Sequence, residues 1–212
     1  MATVSEETRG GNDAMILGTH NSATGGKLVW WQRPFGWFIH LTSRCQDKSI
    51  KEQLEDGVRL FNLQVTKYKG EWVFSHGLAI YKERLNDALA LFEKYATKDN
   101  PIYFQLYLDD NLFLGQDDEE FCELSEILSL IYHKDYPVKL LYTWIEGSKH
   151  YPYNSGISLS CEEHYWTLGW AKTYASSYID YLPLPLYHAE EYNEIYKEIC
   201  KAQYLMLDYY DK

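Results

Sequence analysis

Short β-type runs separated by stretches with helix signatures constrain this chain more than any other feature. The runs are "AMILGTH" (14–20), "VRLFNLQV" (58–65), "EWVFSHG" (71–77), "PIYFQLYL" (101–108), "KLLYTWI" (139–145), "SGISLSC" (155–161), "LPLYH" (184–188) and "QYLMLDYY" (203–210). Between several of them lie helix signals. In "SIKEQLEDG" (49–57), Ser49 and Glu52 form a capping-box pattern and Gly57 a stop. "RLNDALALFEKYATK" (84–98) repeats apolar residues at helical spacing and ends before Pro101. "QDDEEFCELSEILSLIYHK" (116–134) puts acids first and His133–Lys134 last, which suits the helix dipole. "AEEYNEIYKEICKA" (189–202) has the same order. Strand then helix, repeated, implies a parallel sheet of the α/β class. Eight such runs in 212 residues predict a compact, irregular (β/α)8 TIM-type barrel with some helices reduced. An open doubly wound sheet is the rival, but no glycine-rich nucleotide loop supports it. With no linker or repeat in view, residues 1–14 read as a polar N-terminal segment and 15–212 as a single domain.

Charge and cysteine content narrow the function. A net charge of −11 argues against nucleic acid and against tight docking on a strongly anionic membrane. Contact with a zwitterionic surface stays open. Cys45, Cys122, Cys161 and Cys200 form no CxxC pair and read as buried free thiols. The N-terminus lacks a signal-peptide pattern and no apolar run is long enough to span a bilayer, so a cytoplasmic location is the expectation, or secretion if a leader was removed.

In a barrel, the active site gathers at the C-terminal strand ends. The first run ends in His20–Asn21 and the third in His76–Gly77. Asn62 and Gln64 share one face of the second run, and Gln105, Tyr107 and Asp109 one face of the fourth. The last run carries Asp208. A histidine alone at either strand end reads as ordinary core or surface. Two of them at two converging strand ends read as catalysis or ligand binding. His40, His133, His150, His164 and His188 show no metal-ligand spacing and read as structural.

From "ILGTHNSA" through "CQDKSIKEQLEDGVRLFNLQV" to "FSHGL", the chain resembles the X region of phosphatidylinositol-specific phospholipases C, with a weaker echo in "YLMLDYYD". The resemblance implies a phosphoric diester hydrolase or lyase of lipid metabolism. In it His20 is the general base, His76 the general acid and Asp208 the carboxylate that orients His20. The substrate it implies is phosphatidylinositol or a similar glycerophospholipid, contacted by Asn21, Asn62, Gln64, Gln105 and Tyr107. The chain departs from the pattern at Asn62 and Gln64, where the family carries acidic metal ligands or an Asp with an Arg. It departs again at Tyr107, where a charged residue is expected. Calcium is therefore not expected through these positions, since it prefers several oxygens with carboxylates among them. Charge for the phosphate must come from elsewhere, with Lys27, Arg33, Lys67 and Lys69 as candidates. Asp109 and Asp110 offer an alternative metal approach. In "WWQRPFGWF", the resemblance places a short amphipathic helix, so Trp30, Trp31 and Trp37 either touch a membrane transiently or cover the barrel end. A catalytically impaired relative that binds a polyol phosphate or a protein partner is the alternative to the enzyme. A phosphodiesterase for another head group is a third reading.

Overall fold

The computed structural model describes residues 16–109, 111–115, 117–133, 135–145, 153–154, 165–167, 204–207 and 210–211. The runs at 155–161 and 184–188, the helix expected over 189–202 and the N-terminal segment 1–14 lie outside these residues, as do Asp110, Cys161, Cys200 and Asp208.

Six of the expected strands form, five of them in the first 145 residues. These five are β1 (Ile16–Thr19), β2 (Leu60–Tyr68), β3 (Glu71–His76), β5 (Ile102–Leu108) and β6 (Val138–Ile145). The final run supplies β9 (Tyr204–Leu207). The helices are α1 (Gly36–Ser43), α2 (Ile50–Glu55), α3 (Leu85–Tyr95) and α4 (Asp118–Ile131). The capping box that opens α2 is present, with the Ser49 and Glu52 side chains each meeting the other's backbone N–H. Additional strands are β4 (Ala79–Arg84), β7 (Tyr153–Asn154) and β8 (Tyr165–Thr167).

The sheet runs β7-β6-β5-β2-β1-β9-β8, parallel throughout except for β7. Strand β1 is flanked by β2 and by the last strand, β9. That is the cyclic order of a barrel, whereas a doubly wound sheet reverses at a switch point. Among the described residues the sheet is not closed between β7 and β8. The purely parallel expectation fails at β2–β3–β4, an antiparallel meander. Its first turn is Lys69–Gly70, both with positive φ (54° and 79°), the two-residue geometry that suits strand twist.

Two faces of the strands do different work. Outward, Phe61 of β2 and Phe104 of β5 stack with Phe92 of α3 at 4.7 and 5.9 Å, within a continuous core that α4 joins through Phe121 and Leu128. Inward, Leu60, Tyr103, Leu141 and Met206 pack as a small apolar floor. Side chains alternate along a strand, so the next inward positions above Leu60 and Tyr103 are Asn62 and Gln105, which pair in register. Gly18 lets β1 lie against this floor, since a Cβ there would meet Leu60 Cβ at 2.9 Å.

Candidate active site

The polar layer is built first by the loop after β1. Asn21 takes the left-handed conformation (φ 45°, ψ 51°), which asparagine tolerates better than most residues. Its N–H donates to Asn62 Oδ1 at 3.1 Å, and Asn62 Nδ2 donates to Gln105 Oε1 at 3.2 Å. Thr19, Ser22 and Thr24 are all buried, and each hydroxyl works inside the loop. Ser22 Oγ donates to the Thr19 carbonyl (2.7 Å) and accepts from Asn62 N–H (2.9 Å). Thr24 Oγ1 donates to the Asn21 carbonyl and accepts from the N–H groups of Cys45 and Gln46. From α2, Gln53 Nε2 donates to the Ser22 and Lys48 carbonyls, both at 2.7 Å.

His20 sits directly on this frame. Its N–H donates to the Leu207 carbonyl at 2.9 Å, joining the tips of β1 and β9. Gln46 Nε2 holds the same junction by donating to the carbonyls of His20 (2.9 Å) and Leu207 (2.8 Å).

His76 arrives from β3 and is followed by Gly77 at φ 58°, a turn that glycine makes without strain. Two buried amides clamp this turn. Asn111 Nδ2 donates to the Gly77 carbonyl at 2.9 Å, and Gln32 Nε2 to the Leu78 carbonyl at 2.7 Å. The turn brings the His20 and His76 rings to a centroid distance of 6.5 Å at an interplanar angle of 75°. Both residues are half-buried, accessible from one side.

The tautomer of His76 follows from its partners. Nδ1 lies 2.8 Å from the Ser43 carbonyl, which can only accept, so Nδ1 carries a proton. Nε2 therefore gains or loses the exchangeable proton, and it faces Asn21 Nδ2 at 3.0 Å. Asn21 Oδ1 is buried with no hydrogen-bond partner among the described residues. A carboxamide turned over would present that oxygen to Nε2–H instead. Asn21 can thus partner neutral His76 as donor and charged His76 as acceptor. Cys45 Sγ completes the wall, 3.5 Å from Asn21 Nδ2 and 3.9 Å from His76 Nδ1.

Of the remaining expected contacts, Gln64 and Tyr107 are half-buried and aligned in register at the next level up. Asp109 is buried. None of the four candidate cations contacts the two rings. Lys67 is paired with Asp117 at 3.5 Å and with Glu120. Arg33 and Lys69 line a separate groove under Trp30, and Lys27 is exposed beside Glu83. The oxygens of Asn62 and Gln105 that face the cleft already accept hydrogen bonds. Among the described residues, no three His, Cys, Asp or Glu side chains cluster as metal ligands.

Four further amides, Gln46, Gln53, Gln32 and Asn111, build the site without belonging to the residues expected from the sequence. Gln53 had a legible signal, a polar residue between Ile50 and Leu54 on the apolar face of a short helix. Gln32 and Asn111 lie in loops, where polar residues carry no such contrast.

Of the tryptophans, Trp30 and Trp37 are 71% and 75% exposed, beside Phe35 and, from α1, Phe38 and Leu41. Trp31 instead is half-buried and packs edge-on against Phe113 at 5.4 Å. No helix among the described residues is long and apolar enough to cross a membrane.

No family profile matches the sequence, and no curated protein matches it. Solved structures do. A double-mutant form of the phosphatidylinositol-specific phospholipase C of S. aureus aligns with a TM-score of 0.57 at 17% identity, covering 92% of this chain and 84% of that one. The phosphatidylinositol-specific phospholipase C of Listeria monocytogenes aligns at 0.54 and 16%, covering 93% and 89%. A further S. aureus structure, described in terms of modulated membrane binding, aligns at 0.55 and 14%, covering 92% and 85%. The chain shares the fold of these enzymes over nearly its whole length.

Proposed function

We propose that this chain is a phospholipase C-type phosphodiesterase in which His20 is the general base and His76 the general acid. The observation that carries this reading is the pair of imidazoles, 56 residues apart in sequence, with ring centroids held 6.5 Å apart on hydrogen-bonded strand tips. The substrate is a phosphodiester with a neighbouring hydroxyl, such as phosphatidylinositol. His20 takes the hydroxyl proton while that oxygen bonds to phosphorus. The bond from phosphorus to the glycerol oxygen breaks, and His76 Nε2 gives that oxygen its proton. A cyclic phosphate and diacylglycerol leave. The nucleophile is already tethered to the phosphorus, so proximity is supplied by the substrate. Imidazoles suit both roles because either proton state is accessible near neutral pH. The leaving oxygen must approach Nε2 past the Asn21 amide, which makes Asn21 the partner of the acid. The apolar floor excludes water from one side, and the half-buried Gln64 and Tyr107 contact the polyol, backed by the buried Asn62–Gln105 pair. In this reading calcium takes no part, since it prefers several oxygens with carboxylates among them and the family positions here carry amides. The exposed Trp30 and Trp37, with Phe35 and Phe38, rest on the lipid surface during turnover.

One observation favours the impaired-binder reading: of the candidate cations, Lys67 is paired with Asp117 and Glu120, and Arg33 and Lys69 line a groove away from the two rings. Loss of one preorganised charge from such a site is worth about 10²–10³ in rate. Incubation with phosphatidylinositol vesicles, with calcium and with EDTA, separates the readings. The enzyme releases cyclic inositol phosphate in both, and His20→Ala and His76→Ala each lower the rate by about 10²–10⁴. Inositol phosphate binding without turnover on any phosphodiester supports the binder instead.

A further inference from the structure

The chain carries a net charge of −11, yet one groove is cationic. It lies under Trp30, between the 28–33 segment, the Lys69–Gly70 turn and β4, and encloses about 260 Å³. Arg33, Lys69, Lys82 and Arg84 line it, against the single carboxylate of Glu71. Arg84 holds Glu71 at 3.5 Å. Among the described residues, Arg33, Lys69 and Lys82 have no carboxylate partner. Arg33 donates only to the Leu28 carbonyl (3.2 Å), and Lys69 lies over the Tyr68 ring (5.2 Å). Like charges gathered in a small concavity repel one another unless an anion joins them. In a molecule with a net charge of −11, three cations without a carboxylate partner among the described residues mark a surface for an external anion.

The groove is not the His20–His76 cleft. The Tyr68–Glu71 pair at its edge lies six positions beyond Asn62 on β2, about 20 Å along the strand. It is continuous with the aromatic rim, because Trp30 lines it and is 71% exposed. A tryptophan ring settles at headgroup level. Cations packed directly beneath such a ring then face lipid phosphates.

We propose that this groove binds the headgroup of an anionic phospholipid other than the substrate, as a second foothold on a bilayer. It rests on the reading that the Trp30 rim meets lipid. Juxtamembrane Lys and Arg residues each contribute roughly fivefold in affinity for an anionic surface at moderate salt.

Sedimentation of the full chain with vesicles tests this, using phosphatidylcholine alone and phosphatidylcholine with phosphatidylserine. The native chain binds the phosphatidylserine vesicles more tightly, and salt removes the difference. The doubly substituted Lys69→Gln/Lys82→Gln chain, with its fold checked by circular dichroism, loses roughly ten- to thirtyfold on those vesicles only. Equal binding of native chain to both vesicles, or no binding to either, overturns the proposal. So does a salt-insensitive preference, whatever the variant does. Binding of inorganic phosphate that depends on Lys69 and Lys82, without any vesicle preference, also overturns it and assigns the groove to a soluble anion. A chain that prefers phosphatidylserine yet hydrolyses no phosphodiester contradicts the catalytic reading and leaves this one standing.

Discussion

Asn21 is the residue whose chemistry distinguishes this cleft. Its amide Nδ2 lies 3.0 Å from His76 Nε2, and its Oδ1 is buried and without a hydrogen-bond partner among the described residues. Asn21→Asp puts a negative charge within hydrogen-bonding distance of Nε2, which favours the charged imidazole. If His76 is the acid, the alkaline limb of the kcat/KM profile reports its ionisation, and that limb moves up by about one pH unit or more in Asn21→Asp. An unmoved limb would detach Asn21 from the acid. His76 itself was legible in the sequence because it ends a β-type run with glycine behind it. Asn21's role was not, because an asparagine at a strand end reads equally well as a turn former. Only the left-handed backbone and the 3.0 Å approach to Nε2 separate the two.

One side chain reinforces the junction between β1 and β9. Gln46 donates to two carbonyls at the strand tips, and Gln46→Ala removes both bonds, leaving the Leu207 carbonyl with the His20 N–H. Buried acceptors left unpaired cost about 1–3 kcal/mol, so the midpoint of urea unfolding falls accordingly, with the slope unchanged. An unchanged midpoint would mean that the junction is held by the sheet alone. Where α3, α4 and β5 meet, Tyr132 plays a similar part. Its hydroxyl donates to Glu93 at 2.8 Å while its ring packs on Phe104. Burial, and then the bond to Glu93, push this phenol well above its ordinary value of 10.0. The unfolded chain ionises first, so this stabilisation is complete below pH 10 and fades as the pH climbs beyond it. Tyr132→Phe has nothing to ionise there, so its stability falls less steeply with pH above 10 than the native chain's. Equal slopes would contradict the assignment. The elements themselves were readable where one signal dominated: the capping box of α2, the helical spacing of Leu85, Ala88, Leu89 and Phe92, the buried run of β2. Strand β4 was not. "AIYKER" follows the His76 turn directly and leads straight into α3, so it carries no punctuation of its own. Its pairing with β3 is made local by the tight turn at Gly77, whose φ is 58°.

Across the whole molecule, the order of strands places Asn62 and Gln105 at one level of one sheet and Gln64 and Tyr107 at the next. Phe61 and Phe104 face the helices, while Asn62 and Gln105 face inward above an apolar floor. Alternation along β2 and β5 made that layer visible in the sequence. The charge pattern was not visible there, because net charge averages over the surface. The −11 total conceals a groove where Arg33, Lys69 and Lys82 gather without carboxylate partners among the described residues. Of the cations expected at the phosphate, Lys67 is paired with acids and Arg33 and Lys69 line this groove, so the proposed chemistry rests on the two histidines. That claim has an asymmetric test. A general acid matters when the leaving oxygen is basic and matters little when it leaves readily as an anion. The rates of native, His20→Ala and His76→Ala chains are measured on phosphatidylinositol and on an inositol phosphodiester with a nitrophenol leaving group. His76→Ala should lose about 10²–10⁴ on the lipid and far less on the nitrophenyl ester, whereas His20→Ala should lose a comparable factor on both. Equal losses for the two variants on both substrates, or swapped sensitivities, would contradict the assignment of base and acid.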